Sequence, residues 1–148
     1  MQNPEVEIES LTHDGRGVAR LDGKTVFVAG ALPGERARIR YSKRHRNYDE
    51  ARVEELLSRS GDRVEPRCPH FGICGGCAFQ HLPAGRQIEV KQNVLAENFE
   101  RIGKVSPERW LPPLGDEEWG YRRKGRLSVK WVEQKNKRLI VDEIVSGI

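Results

Sequence analysis

Short apolar–polar alternations fill the first part of the chain, and they predict strands. Val6 to Leu11 alternates apolar with acidic residues, as a half-buried strand does. His13-Asp14-Gly15-Arg16-Gly17 predicts a turn, and Val18 to Leu21 resumes a strand. Asp22-Gly23 predicts a two-residue hairpin turn, because both residues tolerate the positive φ it needs, with Thr25 to Val28 as the return strand. Leu32-Pro33-Gly34-Glu35 predicts a further turn. From Arg36 to Tyr41 the alternation puts Ala37, Ile39 and Tyr41 on one face and Arg36, Arg38 and Arg40 on the other. Ala51 to Glu54 supplies the last strand. Five short strands joined by glycine turns predict a small closed or partly open β-barrel of the OB type. Such barrels bind single-stranded nucleic acid on a basic, aromatic face.

The pattern changes at Ser58 to Arg63, which marks a domain boundary. Pro83 suits the first turn of a helix. Ile88, Leu95, Phe99 and Ile102 then recur at near-helical spacing and are expected in the core, with Gly103 as the stop. Val105 to Trp119 has no period and reads as a connector in which Trp110 and Trp119 pack on something. Leu127, Val129 and Trp131 alternate with Arg126, Ser128 and Lys130 and predict a strand, turned at Gln134 to Lys137 and returning over Leu139 to Val141. A lone hairpin is barely stable in water, so this one is expected to join a larger sheet. The predicted organisation is a barrel over 1–58, a linker, cysteine loop and helix over 59–103, and the start of a β domain over 104–148.

The net charge is only +4, but the basic residues are clustered. One group lies in Arg36 to Arg46 and another in Arg122 to Arg138, interleaved with Tyr41, Tyr48, Tyr121 and Trp131. That arrangement suits a polyanion, most simply nucleic acid, against the plainer reading of solvated strand faces. The candidate contacts are Arg36, Arg38, Arg40, Tyr41, Lys43, Arg44, Arg46, Arg122, Arg123 and Lys124, with Tyr41 or Phe27 available to stack a base. No apolar run is long enough to span a membrane, and the acidic start does not resemble a signal peptide, so the cytoplasm and no membrane partner are expected.

All 3 cysteines fall in one glycine-rich stretch, Cys68-Pro-His-Phe-Gly-Ile-Cys74-Gly-Gly-Cys77. In a reducing compartment such a cluster points to ligands before disulfides. Thiolates select zinc or iron–sulfur clusters. Zinc sites usually add a second ligand pair, for which only His70 and His81 are near. A cubane cluster takes three grouped thiolates and commonly a distant fourth. Buried or redox thiols are the remaining reading.

Cys68 to Leu82, with its Cys-Gly-Gly-Cys-Ala-Phe-Gln-His core, resembles the [4Fe–4S] loop of the bacterial RNA uracil-C5 methyltransferases, in the branch that acts on 23S rRNA. Gly15 to Arg20, Thr25 to Val28 and Ala31 to Glu35 are similar to that family's N-terminal TRAM barrel. Ser60 to Cys68 is similar to its linker, Gln87 to Gly103 to its helix, and Tyr121 to Leu127 to the first strand of its central domain. The resemblance implies a barrel that grips rRNA and a cluster held by Cys68, Cys74 and Cys77. It also implies a further domain that binds S-adenosylmethionine, flips the uridine, attacks C6 with a cysteine and methylates C5. The chain has no cysteine outside the loop and no glycine-rich turn for the methyl donor. It is therefore expected to be an N-terminal fragment, monomeric and catalytically incomplete alone, with the fourth cluster ligand elsewhere. Ser146 is a poor substitute for that ligand. The rivals are a zinc-stapled RNA-binding module without activity, and a radical methylthiotransferase, whose C-x3-C-x2-C spacing this loop lacks.

Overall fold

The computed structural model describes residues 3–73 and 75–121. Cys74, Arg122, Arg123, Lys124, Ser146 and the hairpin expected from Leu127 lie outside the described residues. Contacts group the chain into two compact units, Met1–Leu111 and Pro112–Ile148. In the second unit, residues 112–121 form no helix or strand.

Six strands, not five, build the first unit: β1 (Glu5–Glu7), β2 (Ser10–Leu11), β3 (Gly17–Leu21), β4 (Lys24–Ala29), β5 (Arg36–Arg44) and β6 (Tyr48–Ser58). The extra strand comes from a break in the first one. Ile8 donates its N–H to the Glu35 carbonyl at 2.9 Å, whereas Glu9 donates to the Val18 carbonyl at 2.8 Å. The segment thus leaves β5 as its partner and joins β3, and one run of alternating residues becomes two strands. The sheet order is β1-β5-β6-β4-β3-β2, antiparallel except for the parallel β4–β6 pair. Its two edges are consecutive halves of residues 5–11, and no ladder joins β3 to β5, so the barrel stays partly open. Register shifts at three places along β5–β6 mark the irregularities that curl a ladder into a barrel.

The turns obey their residues. Asp22 and Gly23 take φ of 51° and 76° between β3 and β4, as the predicted hairpin requires. Val6, Ile8, Ala19, Val26, Val28, Ala31, Ala37, Ile39 and Ala51 close the barrel core, with Leu21, Tyr41, Val53 and Leu56 at its margin. Small alanines let strands approach where six of them wrap a narrow interior.

A second apolar cluster, Leu32, Phe79 and Leu82 with Leu11 and Val90, joins the barrel to the segment beyond the cysteine loop. Helix α1 spans Ala84–Asn98 behind Pro83, and a π-type turn over Phe99–Gly103 continues it. The left-handed stop falls on Lys104 (φ 54°), one residue beyond the glycine expected to supply it. The predicted apolar stripe is not core: α1 has no buried residue, and Leu95 and Ile102 are 46% and 79% exposed. Spacing identified the helix, but only Val90 reaches the second cluster, while Phe99 packs instead on Trp110 with ring centroids 6.0 Å apart.

Candidate nucleic-acid interface and cysteine loop

The alternation of β5 sends Arg36, Arg38 and Arg40 outward, as expected. There they meet acids from the neighbouring strands. Glu5 lies 3.5 Å from Arg36 and 3.0 Å from Arg38, Glu55 also pairs with Arg38, and Glu54 lies 2.5 Å from Arg40. Hydrogen bonds from Asn3 and Arg40 hold the Glu54 carboxyl below its ordinary pKa. Exposed pairs of this kind stabilise little, yet they cancel one another's field. The three arginines thus sit in a mixed ionic lattice on this face.

The uncompensated charge lies further along, at the tip between β5 and β6. Lys43 and Arg46 are exposed and form no ion pair with the described residues. Arg44 sits 4.0 Å above the Tyr41 ring, so that ring already carries a cation. The turn itself is pinned. His45 donates its N–H to the Tyr48 carbonyl at 3.0 Å and to Asp49 at 3.2 Å. Lys24 places its ammonium 2.7 Å from the buried Asp49 carboxylate and donates also to the His45 carbonyl. The hydrogen bond from Lys24 is the main cause of a lowered Asp49 pKa.

Beside this tip, the outer face of β4 carries a ring array that alternation alone does not reveal. Phe27 lies between the buried Val26 and Val28 and points outward, half-buried. The parallel β4–β6 register brings Tyr48 beside it, edge-on at 5.5 Å. His45 stacks on Tyr48 at 4.3 Å with planes 22° apart. The Arg16 guanidinium lies 5.1 Å over Phe27 and 3.7 Å from Glu50. Sequence reasoning named Phe27 and missed His45, Tyr48 and Arg16 as its neighbours. The only available signal was the aromatic pair spaced around Arg46-Asn47, and the parallel register that completes the array is not visible in the sequence.

The described part of the cysteine loop turns tightly over Pro69 to Ile73 and bends at Gly75 and Gly76. Phe71 donates its N–H to the Cys68 carbonyl at 3.1 Å, and Ile73 donates to His70 at 3.0 Å. The Cys68 amide in turn donates to the Gln80 side chain at 3.1 Å. Cys68 is half-buried and Cys77 exposed, both as free thiols. Among the described residues no three potential metal ligands converge. The donor set nevertheless suits a thiolate-held group in kind: soft sulfur ligands on short glycine-rich turns.

Two contacts fix the segments on either side of this loop to the barrel. Gly15, at φ 79°, lies so close to Ala78 that a Cβ there would stand 2.6 Å from the Ala78 carbonyl oxygen. The second contact is a buried carboxylate. Glu35 is fully buried and accepts from Arg63 Nε at 2.6 Å, Arg63 Nη2 at 2.7 Å, the Leu32 amide at 2.8 Å and the Ser60 amide at 3.1 Å. Burial by itself would raise the Glu35 pKa, but these donors overcome it and hold the carboxyl below its usual range. Arg63 also donates to the Gly30 carbonyl at 2.8 Å. Next to this pair is His81, 1% exposed, with neither ring nitrogen hydrogen-bonded to a described residue. Its ring packs 5.2 Å from Phe71. Burial, reinforced by the Arg63 charge, lowers its pKa to about 4, so it is a neutral packing residue.

The TRAM domain family matches residues 2–53, which covers β1 to β5 and the first half of β6. A protein of Xylella fastidiosa named 23S rRNA (uracil(1939)-C(5))-methyltransferase RlmD is 56% identical over 139 residues, covering 92% of this chain and 31% of that protein. Proteins of the same name from Alkalilimnicola ehrlichii and Nitrosococcus oceani are 54% and 52% identical, over 31% and 32% of their lengths. The chain therefore spans about a third of the length of the curated relatives it matches. The chain carries a TRAM domain over residues 2–53, and 92% of it is similar to a third of the length of proteins named RlmD.

Proposed function

We propose that this chain is the RNA-recognition and cysteine-loop portion of an enzyme that uses S-adenosylmethionine to form 5-methyluridine in 23S rRNA. The observation that carries the proposal is identity above half along almost the whole chain to proteins of that printed activity. The TRAM barrel is the RNA-binding part. Its β5–β6 tip supports that role, because Lys43 and Arg46 carry charge that no described acid cancels.

Lys43, Arg44 and Arg46 make the phosphate contacts at the tip, with Tyr41 beneath Arg44. Arg36, Arg38 and Arg40 contribute only where phosphate displaces Glu5, Glu54 or Glu55. Arg122, Arg123 and Lys124 are further candidate RNA contacts and lie outside the described residues. Cys68, Cys74 and Cys77 would hold three irons of a [4Fe–4S] cluster, with a fourth ligand from another segment. The cluster supplies a rigid cross-link for the turns when bound, and the protein's own part is to present the thiolates. The enzyme works as a cytoplasmic monomer. No described helix is long and apolar enough to cross a membrane.

Two measurements test the proposal. Affinity for an rRNA oligonucleotide should fall steeply with salt, and Lys43→Glu with Arg46→Glu should reduce the salt slope by about one to two, one per lost phosphate contact. Salt-insensitive binding, or none, refutes the electrostatic reading. Anaerobic reconstitution with iron and sulfide should give broad visible absorption. Stoichiometric colourless zinc would favour a metal-stapled module instead.

A further inference from the structure

We infer that the ring array of Phe27, Tyr48 and His45, with Arg16 at its end, is a stacking site for an unpaired base of the RNA. The inference rests on the RNA-binding reading above and names the surface that takes a base. Tyr41, the other aromatic candidate, packs alone at the margin of the barrel core, and Arg44 lies closer over its ring (4.0 Å) than Arg16 does over Phe27 (5.1 Å). Phe27, Tyr48 and His45 instead form a chain of rings, 5.5 Å and 4.3 Å between centroids, on the outer face of the barrel. All three are half-buried. Their buried parts fix the rings, and their exposed parts are apolar surface next to the basic β5–β6 tip.

The array is preorganised, which is what a stacking site needs to bind without ordering cost. The turn that carries His45 and Tyr48 is held by Lys24 and Asp49 from two strands. Arg16 is oriented by Asp14 at 2.9 Å and Glu50 at 3.7 Å, and it brings a planar cation to the far end of the rings. Lys43 and Arg46 flank the array, so a strand whose phosphates track them passes its bases across the rings. Stacking of this kind tolerates any base, because every base has a π face. The site therefore contributes affinity for single-stranded RNA and little base preference.

The test uses the full chain and two RNA oligonucleotides of about twelve nucleotides, within the span of one such barrel. One carries all its bases, and the other has an abasic run with the same phosphates. The intact strand should bind at least about fivefold more tightly, as expected for one stacked base. Tyr48→Leu and Phe27→Leu should each remove most of that preference without changing the salt slope. Tyr48→Phe should keep the preference, which separates lost stacking from a disturbed fold. Equal binding of the two strands by the unaltered chain overturns the inference. So does a Tyr48→Leu protein that retains the preference. If Lys43→Glu and Arg46→Glu still weaken both strands, the RNA-binding reading survives that result. If no RNA binds at all, it is the RNA-binding reading that fails.

Discussion

Lowering the pH from 7 to 5 should weaken this fold through one side chain, His81. In the folded chain its imidazole is 1% exposed, without a hydrogen bond to a described residue, and its pKa is lowered from 6.5 to about 4. The unfolded chain takes up a proton near the ordinary value, whereas the folded chain resists it. The stability His81 permits is therefore fully present above pH 6.5 and is lost as pH falls towards 4. Between pH 7 and 5 the linkage amounts to about 2 kcal/mol. Glu35, beside His81, has a lowered pKa and stays ionised in this window. Denaturant unfolding at pH 7, 6 and 5 measures the loss. A His81→Leu protein should lose about 2 kcal/mol less over the same interval and be the more stable of the two at pH 5. Parallel pH dependences for the two proteins would refute the assignment, because the proton would then be taken up elsewhere.

Arg63→Ala should cost about 3–5 kcal/mol in the same assay, because it strands the buried Glu35 carboxylate, and Glu35→Leu combined with Arg63→Ala should recover part of that. Arg38→Ala, by contrast, removes an exposed arginine from the ionic lattice, and its melting temperature should shift far less than that of Arg63→Ala. Gly15→Val should destabilise the chain measurably by thermal melting, since the side chain meets the Ala78 carbonyl and the backbone holds φ 79°. An unchanged melting temperature would mean that the turn moves away from the loop without penalty.

The alternating strands are legible in the sequence because side-chain period and burial coincide along them. Ala37 and Ile39 are buried and Arg36 and Arg40 exposed, as the pattern of β5 requires. The Asp22-Gly23 turn is legible from its residue chemistry. What the pattern does not show is partnership between distant segments. The arginines of β5 read as free cations in sequence, but Glu5, Glu54 and Glu55 reach them from β1 and β6. The break at Ile8-Glu9 depends on which strand each residue faces, not on its own preference. The ring array needs the parallel pairing of β4 with β6, and no local signal encodes a parallel register. The helix shows the opposite case: its period is right, but the described residues offer little for its apolar side to pack on.

The close approach of Gly15 to Ala78 gives the cysteine loop a reporter inside the barrel. Arg16 comes directly after Gly15 in the same turn, and trypsin cleaves after arginine where the backbone can open. A chemical event at Cys77, such as alkylation of its exposed thiol, acts one residue from the carbonyl against which that turn rests. Cleavage between Arg16 and Gly17 should therefore accelerate when the loop is disturbed and slow when it is held. A short digest would read the condition of the thiolates from a bond more than fifty residues away in sequence.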